Sequence, residues 1–181
     1  MQESEAASRT DAAAVLHRLI RDVPDYPRPG VMFKDITPLL ADPAGFAATV
    51  DALADGHDRI DKVAGIEARG FILAAPVALR LGVGFVPVRK VGKLPGPTHA
   101  ETYELEYGTA TVEVHTDAFA PTDRVLMIDD VLATGGTAKA KTELVEQLGG
   151  EVVGLLFVVE LGFLNGREKL AGYTVQSLIT Y

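Results

Sequence analysis

Two adjacent carboxylates, Asp129 and Asp130, are followed after two apolar residues by a run of small and hydroxyl side chains, Ala133, Thr134, Gly135, Gly136 and Thr137. A glycine-rich turn at the start of a helix gathers unpaired N–H groups and the positive end of the helix dipole, which together suit a phosphate. The hydroxyls of Thr134 and Thr137 can add two donors. A strand must deliver these groups, and Val125, Leu126, Met127 and Ile128 form the continuous apolar run of a parallel strand covered on both faces. A helix must follow them, and Ala138, Leu144, Val145 and Leu148 recur at helical spacing. Taken singly, the glycine pair could be only a tight corner and the two aspartates only a solvated loop. Other phosphate loops do not fit: no G-x-x-x-x-G-K-[ST] occurs, and Gly82-Val83-Gly84 lacks the third glycine of the dinucleotide fingerprint.

The whole string VLMIDDVLATGGT resembles the ribose-phosphate loop of the type I phosphoribosyltransferase family. The resemblance extends over nearly the whole chain through DYPRPGVMFKDITPLL, EARGF, RKVGKLPGP with ETYELEYG, and VELGFLNGREKL, which look like the adenine branch of that family. It implies transfer of a 5-phosphoribosyl group from phosphoribosyl pyrophosphate to adenine, giving AMP and pyrophosphate. Asp129 and Asp130 would then hold the ribose hydroxyls, and Ala133 to Thr137 the 5′-phosphate. Glu67, Ala68 and Arg69 would meet the pyrophosphate, the Glu67-Ala68 peptide being cis, with Arg89, Lys90 and Lys93 adding positive charge. Ala68 departs from the small hydroxyl residue expected there, leaving the backbone role alone. Glu106 and Arg69 would be catalytic, Glu106 on a flexible loop that closes over the sugar. Phe33 and Leu161 would sandwich the adenine, whose edge the main chain of Met32 and Lys34 would read. Mg2+ would arrive with the diphosphate and be held mainly by substrate and water rather than by a protein site. The family resemblance also implies a homodimer in the cytoplasm. Two alternatives stay open: a phosphoribosyltransferase for another base, and a non-catalytic regulator that senses purine or phosphoribosyl pyrophosphate.

Composition bounds these readings. A chain of 181 residues suits one domain that can bury a sizeable core. No cysteine is present, which excludes disulfides, thiolate metal sites and a cysteine nucleophile. His17, His57, His99 and His115 are scattered without ligand spacing. Seventeen basic against 25 acidic residues, a net charge of −8, disfavours nucleic acid as a partner. The opening MQESEAASRT has neither the basic start nor the apolar centre of an export signal. The apolar run Val152 to Val159 is too short to cross a bilayer, so no membrane association is expected.

Along the chain, Val15, Leu16, Leu19, Ile20 and Val23 predict one helix face, beginning near Thr10 or Asp11 and ended by Pro24. Val31 to Thr37 returns to an extended pattern. Asp42 before Pro43 predicts an N-cap, with Phe46, Val50 and Leu53 as the buried stripe. Val63 to Ile66 is a strand, Phe71 to Leu81 a helix, and Gly82 to Lys90 a strand. Val91 to Thr102 lacks periodicity and predicts a mobile loop, with Thr102 to Leu105 and Thr109 to Val114 as paired arms. Val152 to Val159 and Val175 to Thr180 supply the last strands. The expected fold is α/β, a mainly parallel sheet flanked by helices, type I phosphoribosyltransferase-like. One domain spans 1–181, with a helix and base-covering hood at about 1–40 and a flexible loop at about 90–108.

Overall fold

The computed structural model describes residues 13–104 and 108–181. Helix α1 covers residues 13–19. It is followed by strands β1 (Arg21–Pro24) and β2 (Met32–Asp35), which pair antiparallel as a separate two-stranded sheet. The helix expected to run to Pro24 therefore stops earlier. Val23 faces Phe33 across the ladder, where its β-branched side chain suits a pleated surface, and its apparent place on a helical stripe is incidental. The expected start near Thr10 or Asp11 lies outside the described residues.

Helices α2 (Thr37–Ala41) and α3 (Pro43–Ala54) follow. Asp42 caps α3 as expected, its Oδ1 accepting the Gly45 N–H at 2.7 Å. Two strand-helix passages, β3 (Lys62–Ile66) with α4 (Arg69–Leu81) and β7 (Arg124–Leu132) with α5 (Gly136–Gln147), are separated by strand β4 (Gly84–Lys90). An antiparallel ribbon, β5 (Thr98–Glu104) and β6 (Thr109–His115), is inserted between β4 and β7. Strands β8 (Glu151–Glu160) and β9 (Val175–Thr180) finish the sheet, linked by 3-10 turns at Gly162–Leu164 and Gly166–Leu170.

Strand order is β5-β6-β4-β3-β7-β8-β9, parallel from β4 to β9 and antiparallel at the ribbon. β7 is central, and its side chains alternate between two cores. Leu126 and Ile128 join the core beneath α1 to α4, and Val125 and Met127 join the one beneath α5. All four are essentially inaccessible to solvent. Burying each contributes roughly 1.5–3 kcal/mol, which fixes this strand's height in the sheet. Because every parallel strand points the same way, the ends of β3 and β7 open onto one rim, where ligands of such sheets bind.

The stretch expected to lack periodicity is irregular only over residues 91–97. From Thr98 onward it is strand, since seven cross-strand pairs, Thr98 with His115 through Glu104 with Thr109, satisfy its backbone. Among the described residues no helix is long and apolar enough to cross a membrane.

Candidate active site

The site is built around the end of β7. Asp129 and Asp130 lie within the last residues of that strand, and the chain then turns through Ala133 and Thr134 to Gly135. Gly135 holds φ 77°, a left-handed conformation that glycine adopts without penalty, and it caps α5. The first intrahelical bond runs from the Lys139 N–H to the Gly135 carbonyl at 3.0 Å. The N–H groups of Gly136, Thr137 and Ala138 precede that bond and have no acceptor within the helix.

A second segment backs this turn. A Cβ added at Gly166 would collide with the Ala133 carbonyl oxygen and stand 3.1 Å from the Gly135 nitrogen, and one added at Gly135 would collide with the Gly166 carbonyl. Two glycines thus allow main chain to lie directly against main chain. Arg167, next to Gly166, holds its side of this contact with a two-pronged pair to Glu160 at 2.6 and 2.7 Å and a bond to the Val175 carbonyl at 2.8 Å. The Arg167 guanidinium in turn holds the Glu160 carboxyl below the usual carboxylate range.

A cavity of about 320 Å³ opens over the turn, lined by Val31, Met32, Phe33, Lys34, Arg69, Asp129 to Gly135, Thr137, Ala138, Phe157 and Leu161. Phe33 and Leu161, which the family resemblance pairs across a flat ring, thus line the same space as the aspartates and the turn. β2 has a strand on one edge only, so its other edge presents main chain. The Lys34 ammonium is engaged elsewhere, 2.6 Å from Asp22 and 3.6 Å from the centre of the Tyr181 ring.

Arg69 spans the two halves of the cavity. Its Nε is 2.6 Å from Asp130 Oδ2, an ion pair by proximity whose N–H is not aligned on the oxygen, and its guanidinium carbon is 5.1 Å from the Phe33 ring centre. Gly70 lets α4 approach this closely, for a Cβ there would meet the Ile128 carbonyl at 2.9 Å and Asp129 Oδ1 at 3.0 Å. Asp129 Oδ1 also accepts the Asp130 N–H at 2.9 Å.

The other expected phosphate ligands gather beside the cavity rather than along its wall. The Glu67-Ala68 peptide is cis, and Ala68 caps α4. Glu67 does not turn its carboxylate outward: it pairs with Arg89 at 3.2 Å and accepts the Lys90 N–H at 2.9 Å. The Lys90 N–H, followed by Arg89, holds this carboxyl below its ordinary range. Arg89 also donates to the Lys93 carbonyl at 3.0 Å. Arg89, Lys90 and Lys93 are thereby one cluster, held together by Glu67. Glu106 lies outside the described residues.

Three contributors were not visible as such in the sequence. Glu113 alternates with the apolar Val112 and Val114 and reads as solvent-facing, yet it is buried. Its Oε1 accepts the N–H groups of Lys93 at 2.9 Å and Leu94 at 3.0 Å, and Thr98 donates its hydroxyl to Oε2 at 3.1 Å. The Leu94 N–H is the largest of the influences that lower its pKa. Lys141 is buried on the inner side of α5, and its Nζ stands 3.7 Å from Asp129 Oδ2. A lysine three residues after Ala138, on an otherwise apolar stripe, was the available signal. Gly166 is the third, signalled only by its place in the LNGREKL segment.

Comparison with known proteins agrees with this geometry. A phosphoribosyl transferase domain matches residues 33–174. The adenine phosphoribosyltransferase of Thermobifida fusca is 60% identical over 173 residues, covering 94% of this chain and 98% of that protein. That of Acidothermus cellulolyticus is 64% identical over 162 residues, covering 88% and 92%. Among solved structures, adenine phosphoribosyltransferase from Thermoanaerobacter pseudethanolicus superposes with a TM-score of 0.90 at 50% identity, over 93% of this chain and 99% of the other. The Saccharomyces cerevisiae protein, complexed with an imino-altritol bisphosphate and adenine, gives 0.89 at 40% identity, over 94% and 99%.

Proposed function

The chain belongs to the phosphoribosyltransferase family, in its adenine phosphoribosyltransferase branch, and on that premise we propose how its own residues perform the reaction. The enzyme joins adenine to the 5-phosphoribosyl group of phosphoribosyl pyrophosphate, giving AMP and pyrophosphate, a step of purine salvage. One observation carries the assignment of residues: a single cavity is lined both by Phe33 and Leu161 and by most of the Asp129 to Thr137 segment.

Adenine stacks between Phe33 and Leu161, and its edge is read by the main chain of Met32 and Lys34 on the free side of β2. Asp129 and Asp130 accept from the ribose hydroxyls. The N–H groups of Gly136 to Ala138 and the hydroxyls of Thr134 and Thr137 hold the 5′-phosphate at the α5 N-terminus. Cleavage at the ribose C1 puts positive charge on the sugar and negative charge on the departing pyrophosphate, so stabilising the separated charges is the main catalytic task. Arg69, against both Asp130 and Phe33, fixes the sugar and base relative to one another and presents its remaining donors to the diphosphate. Arg89, Lys90 and Lys93 add the positive charge that the acidic chain lacks elsewhere. Glu106 supports proton handling at the purine and the positive sugar. Residues 91–97 close over the sugar and exclude water.

Magnesium enters as part of the substrate, bound by diphosphate oxygens and water, as a small hard cation prefers. Among the described residues no three acidic or imidazole groups converge on one point. The homodimer is supported by apolar side chains exposed on the α4-β4 side, Ile72, Leu79 and Phe85. A cytoplasmic location is supported by the lack of cysteine, which suits a reducing compartment.

The test is direct. The protein is mixed with phosphoribosyl pyrophosphate, magnesium and adenine, guanine or hypoxanthine in turn, and pyrophosphate release is followed. Turnover with adenine above the other bases supports the reading, and none with adenine ends it.

A further inference from the structure

Lys141 is a charge that the mechanism above does not use. It lies on α5, with only 4% of its side chain exposed, and its Nζ is 3.7 Å from Asp129 Oδ2. An ammonium removed from water is costly unless a carboxylate compensates it, and a carboxylate behind an apolar wall is costly in the same way. The other charged groups facing the pair are Asp130, whose negative charge works against Asp129, and Lys90 on β4, whose positive charge works against Lys141. Arg69, from α4, is committed to Asp130. Lys141 is therefore the one cation among these that serves Asp129.

We propose that Lys141 is a positioning residue of the ribose subsite: a buried counter-ion that holds Asp129 ionised and aimed at the cavity, so that it accepts from the sugar hydroxyls when phosphoribosyl pyrophosphate arrives. The proposal rests on the reading that Asp129 meets the ribose. Its chemistry follows from donor and acceptor counts. An ionised carboxylate only accepts, whereas a protonated one presents an O–H of its own to a hydroxyl and forfeits the charge-assisted bond. Lys141 reaches Asp129 Oδ2 from α5, and Asp129 also lines the cavity. Burial pushes the Asp129 carboxyl up and the Lys141 ammonium down, and each is the leading influence that pulls the other back toward its charged form.

The experiment replaces Lys141→Met and, separately, Lys141→Gln, and measures kcat/KM for phosphoribosyl pyrophosphate against pH in the intact enzyme. Without the counter-ion the acidic limb moves to higher pH by about one unit, so that kcat/KM falls by up to about tenfold on the acidic side of the limb and recovers in alkali, while the KM for adenine is unchanged. A lysine that only packs α5 would change the melting temperature and leave the pH profile in place. In an Asp129→Asn background, where no carboxylate remains to be held ionised, Lys141→Met produces no further shift. A folded Lys141 variant with the parent profile, or a shift that persists beside Asp129→Asn, overturns the proposal. Asp129→Asn measured alone separates the two layers. If it leaves the KM for phosphoribosyl pyrophosphate unchanged, the ribose reading fails and this proposal falls with it.

Discussion

Gly166→Ala isolates the contact that backs the phosphate turn. Gly166 is not in the left-handed region, so alanine meets no backbone strain there and the effect is purely steric. The new methyl would collide with the Ala133 carbonyl oxygen and lie 3.1 Å from both the Ala133 carbonyl carbon and the Gly135 nitrogen. These are main-chain atoms, so no side chain can rotate out of the way. Restoring ordinary separations of about 3.5–4 Å moves the turn or the Gly166–Leu170 segment by on the order of 1 Å. Arg167, tied to Glu160 and to β9, resists movement on its own side. The turn is therefore the part that yields. A misplacement of this size at a phosphate-positioning element costs about a hundredfold in rate. The accompanying overpacking costs about 1–3 kcal/mol. Each kcal/mol lowers the Tm of a chain this long by about 2–4 °C. Initial rates of pyrophosphate release at varied phosphoribosyl pyrophosphate, then at varied adenine, read the result. The expected loss is in kcat/KM for the sugar substrate, with the KM for adenine nearly constant. An unchanged kcat/KM, or an equal loss for both substrates, refutes the view that Gly166 sets the position of the cradle.

Three further outcomes are expected. Phe33→Ala raises the KM for adenine by roughly 10–100-fold, the range for losing one stacking partner of a base, and changes the KM for phosphoribosyl pyrophosphate far less. Glu113→Gln places an amide against N–H donors; hydrogen exchange at Lys93 and Leu94 accelerates and kcat/KM for phosphoribosyl pyrophosphate falls, while AMP binding by fluorescence or calorimetry holds. In the hood, the Arg21 guanidinium, then the Thr37 N–H, lowers the Asp35 pKa from 3.8 to about 2. A carboxyl with a depressed folded pKa stabilises the fold fully above its unfolded pKa and ceases to do so as pH falls through the folded value. Asp35→Asn therefore lowers Tm near pH 6, and the gap to the parent narrows between about pH 4 and pH 2.

Much of the site was legible because its chemistry is local in sequence. The apolar run of β7, the two aspartates and the glycine turn state their own geometry, and the structure keeps them contiguous. Base and sugar ends could be joined only through the family resemblance, since nothing in the spacing says that Phe33, Asp129 and Leu161 share a cavity. Other features depended on contacts distant in sequence. Val23 satisfies a helical period and lies in a strand because Phe33 is available across the ladder. Thr98 to Thr102 carries no strand signal strong enough to stand alone, and it is strand because β6 lies alongside to pair it. Glu113 reads as exposed by alternation, but the loop after β4 folds back onto it. Nor does the sequence say that the Glu67 carboxylate would pair with Arg89, 22 residues away.

The β5-β6 ribbon is fastened at its base to the far end of α5. His99 Nε2 is 2.6 Å from Gln147 Oε1, and Gln147 donates to Glu101 at 3.1 Å. The helix whose start we assign to the phosphate is thus tied at its other end to the ribbon. Because ribbon and helix share these bonds, Gln147→Ala should loosen both at once.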